Sequence, residues 1–172
     1  MSVLTAPTRL RLPDLLNTTD VYADAVLSGR FDHLLPSGGL PADSRWFRRL
    51  HTEDDLDVWL ISWTSGHATE LHDHAGSLGA LTVLSGALRE YRWDGSRLRG
   101  RRLEAGDQAA FPLGWVHDVT ADVASTETLS VHAYSPPLTA MSYYEVTASQ
   151  RLRRVRTELT AVSEDDAPEK TA

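Results

Sequence analysis

The spacing of hydrophobic residues changes near residue 40 of this chain. Between Thr8 and Leu35 apolar residues recur at helical spacing, and the cap-forming residues 17–20 interrupt them, which predicts two short helices. Residues 36–39, Pro-Ser-Gly-Gly, end this region. After Pro41 short apolar segments alternate with turn residues, which is typical of a β-sandwich or barrel. We therefore predict an all-β fold with short N-terminal helices.

The β pattern extends from the region after Pro41 almost to the C-terminus. The predicted strands are residues 45–50, 57–63, 81–93, 97–103, 108–111, 116–120, 129–134 and 141–148, followed by a polar outer strand or terminus at 151–156. The simplest organisation is one domain, with a helical cap over residues 1–40, a single β-barrel over 41–158 and a disordered acidic tail over 159–172.

Composition narrows the range of functions. The chain has 172 residues, 41% of them hydrophobic, which is enough for one sizeable core. It contains no cysteine, which excludes disulfides, thiolate catalysis and sulfur-ligated metal. The net charge of −7 argues against nucleic acid or an anionic membrane as a partner. Without an apolar run or a signal peptide, we expect a cytoplasmic monomer or weak homo-oligomer.

Histidines supply the first candidate chemistry. His72 and His74 are two residues apart, so a strand would direct both side chains to one face. A single histidine in a strand is usually an ordinary packing or surface residue, but such a pair indicates half of a metal site. His117, in another predicted strand, is the strongest candidate for the other half. We interpret His33, His51 and His67 as surface residues.

A second polar group lies near the end of the β region. Ser130, His132 and Tyr134 occupy positions i, i+2 and i+4 of one predicted strand and therefore share a face. Polar side chains inside a barrel are costly unless they bind each other or a ligand. The pattern is compatible with such an interior group, and equally with a solvent-facing stripe whose Val131 points to the core.

The histidine motifs resemble those of the cupin superfamily, whose fold is a jelly-roll β-barrel. The pattern G-x5-H-x-H begins at Gly66, and G-x5-P-x-G-x2-H runs from Gly106 to His117. Cupins normally add a carboxylate ligand that is separated from the second histidine by three or four residues, where this chain has Leu78 and Gly79. The resemblance therefore implies a site of three histidines, which leaves a bound divalent iron with its full charge.

Four longer motifs resemble type I cysteine dioxygenase, a thiol dioxygenase family of cupins. They are R-W-F-R-R-L at 45–50, H-D-H-x-x-S-x-G at 72–79, G-x-x-H-D-V at 114–119 and S-V-H-A-Y-S-P-P-L at 130–138. This resemblance implies an enzyme of cysteine catabolism that uses non-haem Fe(II) and O2 to oxidise L-cysteine to cysteine sulfinic acid. Its partners would be a small-molecule thiol and O2, and the substrate thiolate and amine would bind the iron together.

The resemblance also assigns roles to single residues. By position, the iron ligands are His72, His74 and His117, the catalytic relay is Ser130, His132 and Tyr134, and the substrate-binding residues are Arg48 and Trp46. Arg48 corresponds to the arginine that binds the substrate carboxylate. Its neighbour Arg49 has the opposite strand parity, so a register shift of one residue would exchange their roles.

Two departures from the animal-type pattern affect these expectations. Gly79 replaces the cysteine that cross-links to the active-site tyrosine, so Tyr134 is expected to be a free phenol. Trp46 replaces an aromatic hydroxyl near the substrate, which leaves 3-mercaptopropionate or a related thiol acid as an alternative substrate. That sister family has Gln in place of Arg48, which favours cysteine. Alternatives from other classes are a three-histidine zinc enzyme and a non-catalytic metal-binding cupin sensor.

Overall fold

The computed structural model describes residues 10–65, 68–125 and 127–160. Its elements are the helix α1 (Leu12–Leu27), a 3-10 turn (Asp32–Leu34), and the strands β1 (Trp46–Glu53), β2 (Leu56–Trp63), β3 (His72–Asp73), β4 (Leu78–Ser85), β5 (Ala87–Trp93), β6 (Leu98–Glu104), β7 (Gln108–Phe111), β8 (His117–Ala121), β9 (Thr128–Ser135), β10 (Ala140–Val146) and β11 (Leu152–Leu159). No helix in these ranges is long and apolar enough to cross a lipid bilayer. The predicted tail lies almost entirely outside the described residues, as do residues 1–9 of the predicted cap.

The strands form two antiparallel sheets. One has five strands in the order β1-β2-β9-β4-β7, and the other has six in the order β11-β10-β3-β8-β5-β6. Non-consecutive strands are neighbours in both sheets, as expected for a jelly roll rather than a simple meander. The prediction of an all-β barrel is confirmed.

The five-stranded sheet is covered on both faces. Its inner face packs into the barrel with Ile61, Trp63, Leu81 and Val83. Its outer face packs against α1 in a second cluster, defined by Leu15, Ala23, Leu56, Val58, Leu60, Ala80, Leu84, Val131 and Ala133. Alternate residues of β2 therefore belong to different cores, which explains why this strand is nearly continuous in apolar residues.

The predicted division of the N-terminal helix is wrong, because α1 continues through residues 17–20. Thr18 Oγ1 donates to the carbonyl of Asp14, and Thr19 Oγ1 donates to that of Leu16. These bonds satisfy the hydroxyls within the helix, so they do not end it. Thr19 is buried and also accepts a hydrogen bond from Thr82 of β4, at 2.8 Å.

The single strand predicted over residues 81–93 is also wrong. Gly86 separates β4 from β5, which belong to different sheets. Its φ of +67° lies in the left-handed region, and a side chain at this position would collide with Thr128. The apolar pattern continues across this corner, so periodicity alone did not reveal it.

Candidate metal centre and substrate cavity

Three buried histidines meet at the centre of the six-stranded sheet. His72 of β3 lies opposite His117 of β8 in the strand register, and His74 follows β3 directly. One ring nitrogen from each of these residues lies within 4.8 Å of the others. The structure therefore brings together the three residues that the sequence predicted as metal ligands.

Hydrogen bonds from the chain orient two of these rings. His72 Nδ1 lies 2.8 Å from the carbonyl oxygen of Glu70, so it must carry the proton and leave Nε2 with its lone pair. His117 Nδ1 is bonded to the carboxylate of Glu90, also at 2.8 Å. His117 Nε2 is buried and has no hydrogen-bond partner among the described residues. Metal-binding histidines typically have this arrangement.

Burial keeps His72 and His74 uncharged. Desolvation, with the neighbouring His117 as the next cause, lowers the pKa of His72 to about 3. Desolvation also holds the pKa of His74 well below its ordinary value. Neutral imidazoles are the form that binds a metal, so His72 and His74 need no proton loss near pH 7.

Glu90 was not found from the sequence, although it supports His117 directly. It is only 1% exposed. Besides the bond to His117, it accepts hydrogen bonds from Trp115 Nε1 at 3.1 Å and from Arg101 Nε at 2.5 Å. Burial raises its pKa, but the bonds from His117 and Trp115 and the charge of Arg101 outweigh burial and lower it to about 2. The sequence did contain a signal for this role, because Glu90 is an acidic residue at an inward position of β5, in which buried and exposed side chains alternate.

The predicted relay residues form one hydrogen-bonded chain inside the barrel. Ser130 Oγ lies 2.9 Å from His132 Nε2, and His132 Nδ1 lies 3.3 Å from the hydroxyl of Tyr134. Trp63 Nε1 donates to Ser130 Oγ at 2.8 Å, which the sequence did not indicate. All these side chains are buried, which excludes the solvent-facing alternative. Desolvation lowers the pKa of His132 to about 3 and raises that of Tyr134 to about 12, so both are neutral.

A cavity of about 440 Å³ joins the histidine cluster to the relay. The aromatic residues Phe47, Trp59, Trp63 and Phe111 form much of its lining. This volume and this mainly apolar lining are typical of small-molecule sites. The cavity therefore provides room for a small ligand that contacts both the cluster and Tyr134.

The structure corrects the orientation expected for Arg48 and Trp46. Arg45, Phe47 and Arg49 line the cavity, and these two residues do not. The register between β1 and β2 is regular from Trp46 to Arg49, so alternate side chains point to opposite faces. Trp46 packs against the cluster beneath α1, and Arg48 pairs with Leu60 of that same cluster. Arg49 occupies the cavity position that the sequence analysis gave to Arg48.

The wall formed by β1 and β2 contains buried polar atoms that no described residue satisfies. The Arg49 guanidinium lies 4.8 Å from the centre of the Trp59 ring, and its Nε is buried without a hydrogen-bond partner in the described part of the chain. Asp57 is 6% exposed, and its Oδ1 has no partner within the same ranges. The sequence analysis did not identify Asp57.

His33, His51 and Asp73 do not line the cavity. His33 is exposed, His51 is 3.0 Å from Glu53, and His67 lies outside the described residues. Asp73 accepts a hydrogen bond from the Tyr144 hydroxyl at 2.6 Å.

Comparison with known families now adds to this geometry. The family model described as cysteine dioxygenase type I matches residues 43–147. The chain belongs to this family. The matched region contains the histidine cluster, the relay and the β1–β2 wall.

The similarity of this chain to individual proteins is low. This cysteine dioxygenase family member is 33% identical over 107 residues to a protein of Danio rerio named cysteine dioxygenase type 1, covering 54% of the chain and 52% of the zebrafish protein. The chain thus spans about half the length of that relative. A protein from Klebsiella pneumoniae with a double-stranded β-helix domain has the same fold, with a TM-score of 0.50, 20% identity and coverage of 61% of this chain and 85% of that one. A cupin superfamily protein from Desulfitobacterium hafniense gives a TM-score of 0.48 at 14% identity, over 56% and 81% of the two chains.

Gly79, the position at which the sequence resemblance places a cross-linking cysteine, lies beside Tyr134. A Cβ atom at Gly79 would lie 3.1 Å from Tyr134 Cε1 and 2.9 Å from Phe111 Cδ2. The position is therefore directly beside the tyrosine ring, as the motif alignment predicted. This sequence contains no cysteine, so none of its residues could form such a cross-link with Tyr134.

Proposed function

We propose that this protein is a thiol dioxygenase that oxidises L-cysteine to cysteine sulfinic acid with O2. The observation that carries the proposal is the convergence of three buried histidines on a cavity that Arg49 and Tyr134 also line. In the overall reaction RSH + O2 → RSO2H, both oxygen atoms end on sulfur. Sulfur loses four electrons and dioxygen gains them, so no other reductant is needed. The reaction would belong to cysteine catabolism.

Fe(II) is the proposed cofactor, with His72, His74 and His117 as its ligands. The buried, unpaired Nε2 of His117 and the low proton affinity of the other two rings fit a metal at this position. When bound, iron(II) with three neutral ligands would supply open positions and positive charge for the thiolate and for dioxygen.

Arg49 is proposed to hold the substrate carboxylate. Trp59 supports its guanidinium plane, and the buried Nε has an unused hydrogen. A bidentate contact between guanidinium and carboxylate fixes orientation as well as charge. The aromatic lining of the cavity would exclude water and strengthen this contact.

Tyr134 is proposed to donate a hydrogen bond to the reacting group. Trp63 can only donate, so Ser130 accepts from it and retains its own hydrogen. If Ser130 donates to His132 Nε2, then His132 Nδ1–H donates to the oxygen of Tyr134. This arrangement uses every donor in the chain and leaves the phenolic hydrogen free to point into the cavity.

The test is oxygen consumption by the iron(II)-loaded protein given L-cysteine, with 3-mercaptopropionate in parallel. We expect uptake with cysteine and a product that is heavier by two oxygen atoms in mass spectrometry. Zinc-loaded protein is the control and should consume no oxygen. Uptake with 3-mercaptopropionate alone would keep the reaction and change the substrate. A lack of uptake with either thiol, in protein that contains iron, would contradict the proposal in favour of a sensor.

A further inference from the structure

We propose that Asp57 recognises the amino group of the substrate, so that the cavity selects thiols that are α-amino acids. This inference rests on the proposed function and deepens it, because it names a substrate class and a specificity-determining residue. Asp57 would accept a hydrogen bond from the amine, while Arg49 binds the carboxylate. An amine keeps N–H donors whether or not its nitrogen also binds a metal, so the contact is available in either case.

The two side chains are neighbours on one wall of the cavity. Arg49 of β1 lies opposite Trp59 of β2, and Asp57 is two residues from Trp59 on the same face. A β-bulge follows Arg49 in β1, and both Arg49 and Asp57 line the same cavity. Asp57 is also opposite Tyr134 in the register between β2 and β9. The acid is therefore placed between the arginine and the relay.

Both groups have hydrogen-bonding capacity that the protein leaves unused. Asp57 Oδ1 is a buried acceptor without a donor, and Arg49 Nε is a buried donor without an acceptor, counting all residues that the structure describes. The two do not bond each other, because the guanidinium stacks on Trp59 instead. An unpaired buried polar group is costly, and a structural role would normally satisfy it.

Other buried acids of this protein show what a structural role looks like. Glu90 accepts hydrogen bonds from His117, Trp115 and Arg101, and Asp73 accepts them from Tyr144 and from the backbone of Ala75. Asp57 Oδ1 has no such bond within residues 10–65, 68–125 and 127–160. One unused donor beside one unused acceptor matches the carboxylate and amine of an α-amino acid. A thiol acid without an amine would leave Asp57 unsatisfied.

The experiment compares Asp57→Asn and Arg49→Ala in the iron(II)-loaded protein, with L-cysteine and 3-mercaptopropionate as substrates. We expect Asp57→Asn to lower kcat/KM for cysteine about 10-fold to 100-fold and to change that for 3-mercaptopropionate less than about 3-fold. Arg49→Ala should lower both, since both thiols carry a carboxylate. Asp54→Asn, an exposed acid in the turn between β1 and β2, is the matched control and should change neither. An equal loss for both substrates with Asp57→Asn, or no loss for cysteine, would overturn the inference.

Anaerobic calorimetric titration of the same proteins with each thiol separates this inference from the proposed function. If cysteine binds in an Asp57-dependent way but is not oxidised, the proposed function fails and the recognition of the amine stands. If cysteine does not bind, or binds equally to the wild type and Asp57→Asn, the inference is overturned. Asp57→Glu keeps the charge on a longer side chain, so it should give a loss for cysteine between those of the wild type and Asp57→Asn, and it serves as a second variant if Asp57→Asn does not fold.

Discussion

The two walls of the cavity differ in whether their buried polar atoms have hydrogen-bond partners. On the histidine wall, His72 and His117 are each bonded to an acceptor from the chain, and Glu90 has three donors. On the wall of β1 and β2, Arg49 and Asp57 have buried polar atoms without partners in the described ranges. The first wall has its geometry before any ligand arrives, as a metal site requires. The second wall would complete its hydrogen bonds only with a ligand.

The largest expected effect comes from removing a ligand on the histidine wall. His117→Ala should abolish stoichiometric iron binding and all thiol-dependent oxygen uptake, and His72→Ala and His74→Ala should do the same. Metal analysis after desalting measures this loss. His33→Ala changes an exposed histidine and should keep its iron. Retention of one iron per chain in any of the three variants would contradict the assignment of that histidine as a ligand.

Arg49→Ala should have the next largest effect, on the opposite wall. Loss of a bidentate carboxylate contact is expected to raise the KM for cysteine roughly 100-fold. Steady-state oxygen uptake provides the measurement. Arg48→Ala is the neighbouring control, and its KM should stay within about 2-fold because Arg48 does not line the cavity. If the two effects were reversed, the register of β1 would be different from the one described.

Glu90→Gln tests how far the histidine wall depends on its hydrogen bonds. Changes to residues that support metal ligands typically weaken metal binding 10-fold to 100-fold, so we expect a loss in this range for iron(II). Competition with a chelator of known affinity measures it. Glu145→Gln, on an exposed part of β10, should bind iron as the wild type does. Unchanged affinity in Glu90→Gln would show that β-sheet packing alone holds His117.

The smallest effect is a dependence of stability on pH in the metal-free protein. Burial lowers the pKa of His72 and of His132 from 6.5 to about 3. The unfolded chain therefore binds protons that the folded protein does not, and stability is lost as pH falls from 6.5 towards 3. The urea midpoint should decrease over this range, and less steeply in His132→Asn, which has one such group fewer. His33→Asn should follow the wild type, and an equal slope in His132→Asn would be inconsistent with this explanation.

The sequence predicted the convergence of the three histidines better than the orientation of the residues on the β1–β2 wall, for a physical reason. His72 and His74 form a pair at strand spacing, so both point inward together wherever the strand begins. Arg48 and Arg49 are adjacent, so their orientation depends on strand parity, and apolar residues lie on both faces of β1. Asp57 could not be recognised because an acid at a strand end usually faces water. Its burial depends on how β2 pairs with β9.

The packing of β9 against α1 affects which substitutions this protein can accept. Val131 and Ala133 of β9 belong to the cluster under α1, while Ser130, His132 and Tyr134 alternate with them, and His132 and Tyr134 line the cavity. A change of side-chain volume at Val131 or Ala133 would shift the strand that carries the relay. Substitutions that change the reaction through the relay and substitutions in the interface between β9 and α1 therefore affect each other. Laboratory evolution for a new thiol should accordingly select compensating substitutions in α1, far from the cavity.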